Sequence, residues 1–241
     1  MQLNNDFSKR VAILPHAYQF VDSPLSGVSR MMLDRAGGEV ARATSIVRYA
    51  PSSGYSSHRH DGGEEILVLE GVFSDEHGDY PAGTYIRNPP GTSHQPFSRD
   101  GCTLLVKLWQ FAATDTEQLV INTRQAQWRP GLVPGLSVLP LHEHNGVSTA
   151  LVRWAPNTRF NQHTHVGGEE ILVLEGLFCD EHGQYPAQSW LRSPRYSYHT
   201  PFTGTEGALI YVKVGHMGAG LLGDKFIDTQ HAAISLTTVV T

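Results

Sequence analysis

Two histidines one residue apart, followed by a glutamate four positions on, occur twice in this chain: His58, His60 and Glu64, then His163, His165 and Glu169. Each member of the second set lies 105 positions after its counterpart (163 − 58). Neutral imidazoles and carboxylates are ligands for borderline divalent ions. On a strand, alternate side chains share a face, so His58 and His60 can present both rings to one ion. Glu64 lies an even number of residues beyond them and joins that face if the bend at Gly62 and Gly63 preserves parity; Glu65 is the alternative if it does not. Each copy supplies a third imidazole at a matching place, His94 and His199. Two metal sites are therefore expected, His58, His60, Glu64 and His94 in one and His163, His165, Glu169 and His199 in the other. Three imidazoles and a carboxylate suit Fe(II), Mn(II), Ni(II), Cu(II) or Zn(II) without choosing among them.

The elements that carry these residues are duplicated too. GGEEILVLEG stands letter for letter at 62–71 and 167–176, and DEHG follows at 75–78 and 180–183. The match runs from 47–51 against 152–156 to Pro96-Phe97 against Pro201-Phe202, shifts to an offset of 106 near Gly207, and upstream resumes at 108. The chain is a tandem repeat of modules of a usual domain size. Short runs of β-branched, aromatic and aliphatic residues, punctuated by Gly, Pro, Asp and Ser, predict strands throughout. Only 115–127 and 228–234 could hold a helical turn or two. The expected division is an N-terminal module with an extension at 1–114, a linker at 115–127, and a C-terminal module with a tail at 128–241.

Composition excludes some partners. A formal charge of −5 gives no electrostatic reason to approach nucleic acid or an anionic membrane. The first residues, MQLNNDFSKR, lack the apolar stretch of a secretion signal, and no run is long enough for a membrane helix. A cytoplasmic protein is expected. Cys102 and Cys179 occupy non-equivalent places in the repeat and read as buried thiols.

HRHDGGEEILVLEG and GTYIRNPPGTSH in the first copy resemble the two cupin motifs, with Gly83, Pro89, Gly91 and His94 at the family's spacing. Gly54 stands closer to His58 than the pattern places it, and Ser98 replaces a frequent Asn. In the second copy Gln188 and Tyr196 stand where Gly83 and Gly91 were, which implies a differently shaped loop. The GGEEILVLEG, DEHGDYPAG and RNPP run is similar to the cupin module of ChrR-like anti-sigma factors. The resemblance implies an all-β bicupin: two jelly-roll barrels related by pseudo-twofold symmetry, with one divalent metal ion (Zn, Fe, Mn or Ni) per module. The helical zinc-binding domain that captures the sigma factor in those proteins has no counterpart in the residues before the first cupin core.

Other recurring residues invite plainer readings. His77 and His182 fall in a polar turn signature. Arg48 and Arg153, with Arg87 and Arg192, could meet an anionic substrate inside a barrel or brace the sheet. Tyr85 and Trp190 read as packing aromatics, and His142 and His144 as a loop ahead of a strand. The functional expectation is a metal-dependent enzyme of dioxygenase type acting on a small organic molecule. The alternative is a non-catalytic zinc- or ligand-binding cupin that serves as a sensor. An uncovered sheet edge would favour a homodimer.

Overall fold

The computed structural model describes residues 1–38 and 40–217. The expected tail, including the turn at 228–234, lies outside them. The regular structure of the described residues is β-strand, apart from one short 3-10 turn at Pro15–Ala17, and holds no α-helix. The described residues fold as two compact units, residues 1–5 with 18–126 and residues 6–17 with 127–217.

In the first unit the main sheet runs Gln2–Leu3, Val28–Gly37, Ala41–Tyr49, Cys102–Leu108, Glu64–Asp75, Thr84–Asn88, Leu119–Asn122, with every pairing antiparallel. A two-stranded sheet, His58–Arg59 with Ser93–His94, lies off this path. Alternation decides what faces inward. Val28, Val47, Tyr49, Ile66, Val68, Phe73, Ile86, Cys102, Leu104 and Val106 form one buried cluster. Burying each large apolar side chain stabilises the barrel by roughly 1.5–3 kcal/mol. The opposite face is buried as well, including Thr44, Glu65, Tyr85 and Lys107. That explains strand sequences that read as continuous apolar runs.

The second unit runs Arg129–Pro130, Leu136–His144, Val147–Trp154, Phe202–Val214, Glu169–Asp180, Trp190–Ser193, Val11–Ile13, the same order from its second member on, with Arg129–Pro130 in the place that Val21–Asp22 takes beside Val28–Gly37. Its small sheet pairs His163–His165 with Ser197–His199. The hairpin between the first two long strands is tighter, its last pair being His144 with Val147, against Gly37 with Ala41 in the first unit. His142 and His144 belong to the strand Leu136–His144, not to a loop ahead of it.

The outermost strands depart from the expected division. Val11–Ile13 pairs with Trp190–Ser193 and so belongs to the second unit, while Leu119–Asn122 pairs with Thr84–Asn88 of the first. Registers match: Arg87 faces Leu119 as Arg192 faces Val11. Each repeat thus gives one early strand, Val11–Ile13 or Leu119–Asn122, to the other repeat's barrel. Residues 115–126, expected as a linker, are structural members of the first unit, and residues 6–17, expected as an extension of the first module, complete the second.

Candidate metal centre

The bend that aims the ligands rests on the paired glycines. A Cβ on Gly62 would stand 2.1 Å from the Trp109 ring, and Gly63 has φ +74° with Phe111 pressed against it. Only glycine fits both constraints. At Gly167 and Gly168 the close neighbours are Gly215 and Met217. With this bend, Glu64 lines the same cavity as Ile66, and the alternative, Glu65, lies buried outside that lining.

In each unit the small sheet brings two histidines side by side, His58 opposite His94 and His163 opposite His199. One ligand atom each from His58, His60, Glu64 and His94 lies within 4.8 Å of the others, and the same holds for His163, His165, Glu169 and His199. Among the described residues, groups of His, Cys, Asp and Glu able to hold an ion form at these two places. His60 Nε2 and His94 Nε2 lie 3.2 and 3.4 Å from Glu64 Oε2. Donor atoms about 2.1 Å from one ion stand roughly 3 Å apart when adjacent, so the spacing fits. Both nitrogens are buried and neither has a hydrogen-bond partner. Lone pairs that converge without pairing are the arrangement a cation would satisfy.

The far side of each ring is held. His58 Nδ1 donates to Ser56 O at 3.1 Å, and His60 Nδ1 to Thr92 Oγ1 at 3.1 Å, while the Thr92 hydroxyl donates onward to Pro89 O. His94 Nδ1 donates to Asp75 Oδ2 at 3.2 Å. Asn88 Nδ2 donates to Glu64 Oε2. Protons held on Nδ1 leave Nε2 free as the ligand atom.

Asp75 and Asp180 were legible only as turn residues, yet they do two jobs. Asp75 Oδ1 accepts the backbone N–H of His77 and Gly78 and the Tyr80 hydroxyl, closing the hairpin. Its other oxygen orients His94. Asp180 repeats this with His182, Gly183, Tyr185 and, at 3.4 Å, His199, and it also accepts from Arg10 at 2.8 Å. Glu76 and Glu181 accept the backbone N–H of Gln95 and Thr200, just past each histidine. The recurrence of Asp-Glu-His-Gly at the repeat offset was the available signal. His77 and His182 sit in the turn, as their motif implied, outside the clusters.

The two sites differ electrically. Burial, with His94 and His58 nearby, pushes His60 down to about 3. Burial raises Glu64 to about 7. In the second site burial, with His165 close by, lowers His163 to about 4. Burial would raise Glu169, but the neighbouring His165 and His199 outweigh it and hold it below the usual carboxylate range. His199 goes up: burial works against this, and Glu169 and Asp180 prevail.

A cavity of about 290 Å³ adjoins the first cluster, lined by His58, His60, Glu64 and His94 together with Arg30, Tyr55 and the apolar wall of Ile66, Phe73 and Val106. The recurring arginines are not in its lining. Arg48 stacks on Phe20 at 3.8 Å and Arg153 on Trp128 at 4.3 Å. Arg87 is paired with Asp115 at 2.7 Å and stacks on Phe111, and Arg192 covers Phe7. They brace the barrels. Tyr85 and Trp190 are fully buried, Trp190 Nε1 donating to Glu170.

A family model for the ChrR cupin-like domain matches residues 8–112 and 116–218. No curated protein matches the sequence significantly. Among solved structures, the chain resembles a Nostoc punctiforme PCC 73102 protein provisionally called a dioxygenase, at 16% identity and a TM-score of 0.68, covering 87% of this chain and 88% of that one. It also resembles the nickel(II) complex of the bacterial pirin YhhW from Escherichia coli, at 12% identity and a TM-score of 0.61, covering 86% and 99%. Oxalate decarboxylase from Bacillus subtilis aligns at 14% identity and a TM-score of 0.59, covering 85% and 75%. At such identities the likeness is one of fold. The first strand of each match, near residues 8 and 116, is the strand lent to the other barrel.

Proposed function

The chain belongs to the ChrR cupin-like family, and from that premise we propose that each module holds one divalent ion and that the first is a metal-dependent enzyme of dioxygenase type acting on a small organic molecule. The observation that carries this reading is the cavity that opens directly onto His58, His60, Glu64 and His94. Four protein ligands leave room in an octahedral shell, and a bound Fe(II) or Mn(II) would supply Lewis acidity and redox chemistry there.

The protein's own part is positional. His58, His60 and His94 present Nε2 atoms whose orientation is set through Nδ1 by Ser56, Thr92 and Asp75. Asn88 fixes the Glu64 carboxylate. Ile66, Phe73 and Val106 give the cavity an apolar wall that excludes bulk water and holds a small molecule against the ligand set. Binding the reactants at adjacent positions converts their encounter into a local event.

A second reading, a non-catalytic zinc or ligand sensor, is favoured for the second module by the apolar residues that stand where the first cavity has Arg30, Ser45, Tyr49 and Tyr55. There Val138, Ala150, Val152 and Trp154 form one cluster, with Leu14, Leu136 and Phe160 packed against it. No helix among the described residues is long and apolar enough to cross a membrane. The free, buried Cys102 and Cys179 agree with a cytoplasmic setting.

Metal analysis of the purified chain, paired with oxygen uptake against β-diketones, flavonols and thiols, tests the assignment. Two equivalents of iron or manganese with turnover support it. Stoichiometric zinc without oxygen uptake would sink the dioxygenase reading and leave the sensor. His60→Ala and His165→Ala should each lose one equivalent.

A further inference from the structure

The interiors of the two barrels, superposed through the repeat, differ in one direction. Arg30 faces Val47 across the sheet, and the matching pair in the second unit is Val138 with Val152. Ser45, Tyr49 and Tyr55 line the first cavity; their counterparts at an offset of 105 are Ala150, Trp154 and Phe160. A guanidinium and hydroxyls in one barrel thus become aliphatic and aromatic groups in the other. Packing alone gives no reason to keep the polar set, since its apolar counterparts in the second unit, Val138, Ala150 and Trp154, join one buried cluster with Phe160 packed against it.

Arg30 is the informative member. It shares the strand face of Val28, which belongs to the core cluster, and it lines the cavity that adjoins the first ligand set. Its Nε is buried and has no hydrogen-bond partner among the described residues. The other cations of the lining are engaged, Arg35 with Gly38 O and Arg59 with Asp61 at 3.3 Å. A buried N–H of a permanently charged group, left without an acceptor, is costly unless a ligand supplies one. Guanidinium groups match carboxylates in shape as well as charge. The cavity, about 290 Å³, holds about ten water volumes of ~30 Å³, which limits the guest to a small molecule.

We propose that the first module's cavity binds a small organic carboxylate, with its carboxylate on Arg30 and its remaining atoms beside the His58, His60, Glu64 and His94 set, and that the second module has no such site. This rests on the reading that the first module acts on a small molecule next to its ion, and it names the substrate class. Arg30 is a specificity-determining residue in this account. Val138 marks the barrel that lacks the function.

Calorimetric titration of the full chain with propionate, and with propionamide as its uncharged counterpart, tests the proposal. The expected result is one saturable equivalent of propionate, bound at least about tenfold more tightly than propionamide. Arg30→Gln should erase that preference, and Arg30→Lys should restore part of it. His60→Ala, which removes a proposed metal ligand and leaves Arg30, should keep the preference. Equal binding of the two probes by the wild-type chain overturns the proposal without variants. A preference that survives Arg30→Gln but vanishes in His60→Ala also overturns it, because the carboxylate would then sit on the ion. Arg30-dependent binding by a chain that takes up no metal would instead leave this site standing and overturn the metal assignment.

Discussion

Arg10 donates to Asp180 Oδ2 at 2.8 Å and to the Tyr185 hydroxyl at 2.7 Å, so a guanidinium just ahead of the strand lent by the first repeat stands behind the second ligand set. At the corresponding place in the first unit stands Gln118, which is exposed, and Asp75 takes its bonds from His94, Tyr80 and two backbone amides. Arg10 and His199 share one carboxylate oxygen, and the Asp180 to His199 bond is 3.4 Å against 3.2 Å from Asp75 to His94. The two centres are alike in ligands and unlike in the charge behind them.

Replacing Arg10 with Gln should destabilise the chain by about 1.5–3 kcal/mol at pH 7, the usual worth of hydrogen bonds to a charged group. Burial opposes ionisation of Asp180, but His199 and Arg10 hold its carboxyl well below the usual range. A lowered carboxylate contributes stability above its unfolded pKa and loses it as pH falls. The gap between wild type and variant, read by urea unfolding, should therefore be full at pH 7 and narrow as pH falls below about 4.

Metal uptake by the first site should weaken in acid. Glu64, raised to about 7 chiefly by burial, must release its proton to act as a ligand. In His165→Ala, where only the first set is whole, affinity should fall about tenfold per pH unit below pH 7. Titrations in buffers of different ionisation enthalpy would count the proton, and a flat profile would contradict the assignment of Glu64. In the metal-free chain the sign reverses. The folded state keeps a proton that the unfolded state loses, so this group's stabilisation is present below about 4.5 and disappears as pH rises through 7.

Asp75→Asn should lower metal affinity at the first site by about 10–100-fold, and Asp180→Asn at the second alone. Asparagine keeps a carbonyl oxygen for the hairpin bonds now made by Oδ1, but its amide nitrogen cannot accept from His94 or His199. Competition with a chromophoric chelator reads the loss. Unchanged affinity would show that these carboxylates serve only the turn.

Gly91 has φ +98° and Tyr196, its counterpart, φ +61°. A Cβ on Gly91 would meet only Arg59 Nη2 at an ordinary 3.7 Å, so Gly91→Ala should cost about 1 kcal/mol of backbone strain and little else. Tyr196→Gly should relieve a similar amount. Thermal unfolding of the two variants, shifting in opposite directions, is the check.

That last pair corrects a sequence expectation. The missing glycines at Gln188 and Tyr196 implied a reshaped loop, yet Gln188 has φ +71° against +88° at Gly83. The backbone is kept and the side chains bear the strain. The ligands themselves were legible because a period of two and a duplication fix which residues share a face. Arg30 was not, since the repeat that marked the other arginines has Val138 in its place. Nor were the strand partners of Val11–Ile13 and Leu119–Asn122. Tertiary connectivity, which leaves no local pattern, decides which edge each segment joins.

Those lent strands also fix what a half of this chain would be. Severed between 112 and 116, neither repeat carries the strand that closes its own barrel. The N-terminal half would hold Val11–Ile13 with no Trp190–Ser193 to receive it and would leave Thr84–Asn88 bare, an edge open to any matching segment. Two such halves could cover each other's edges with the segments they carry, so the intact polypeptide has the topology of a domain-swapped dimer joined end to end.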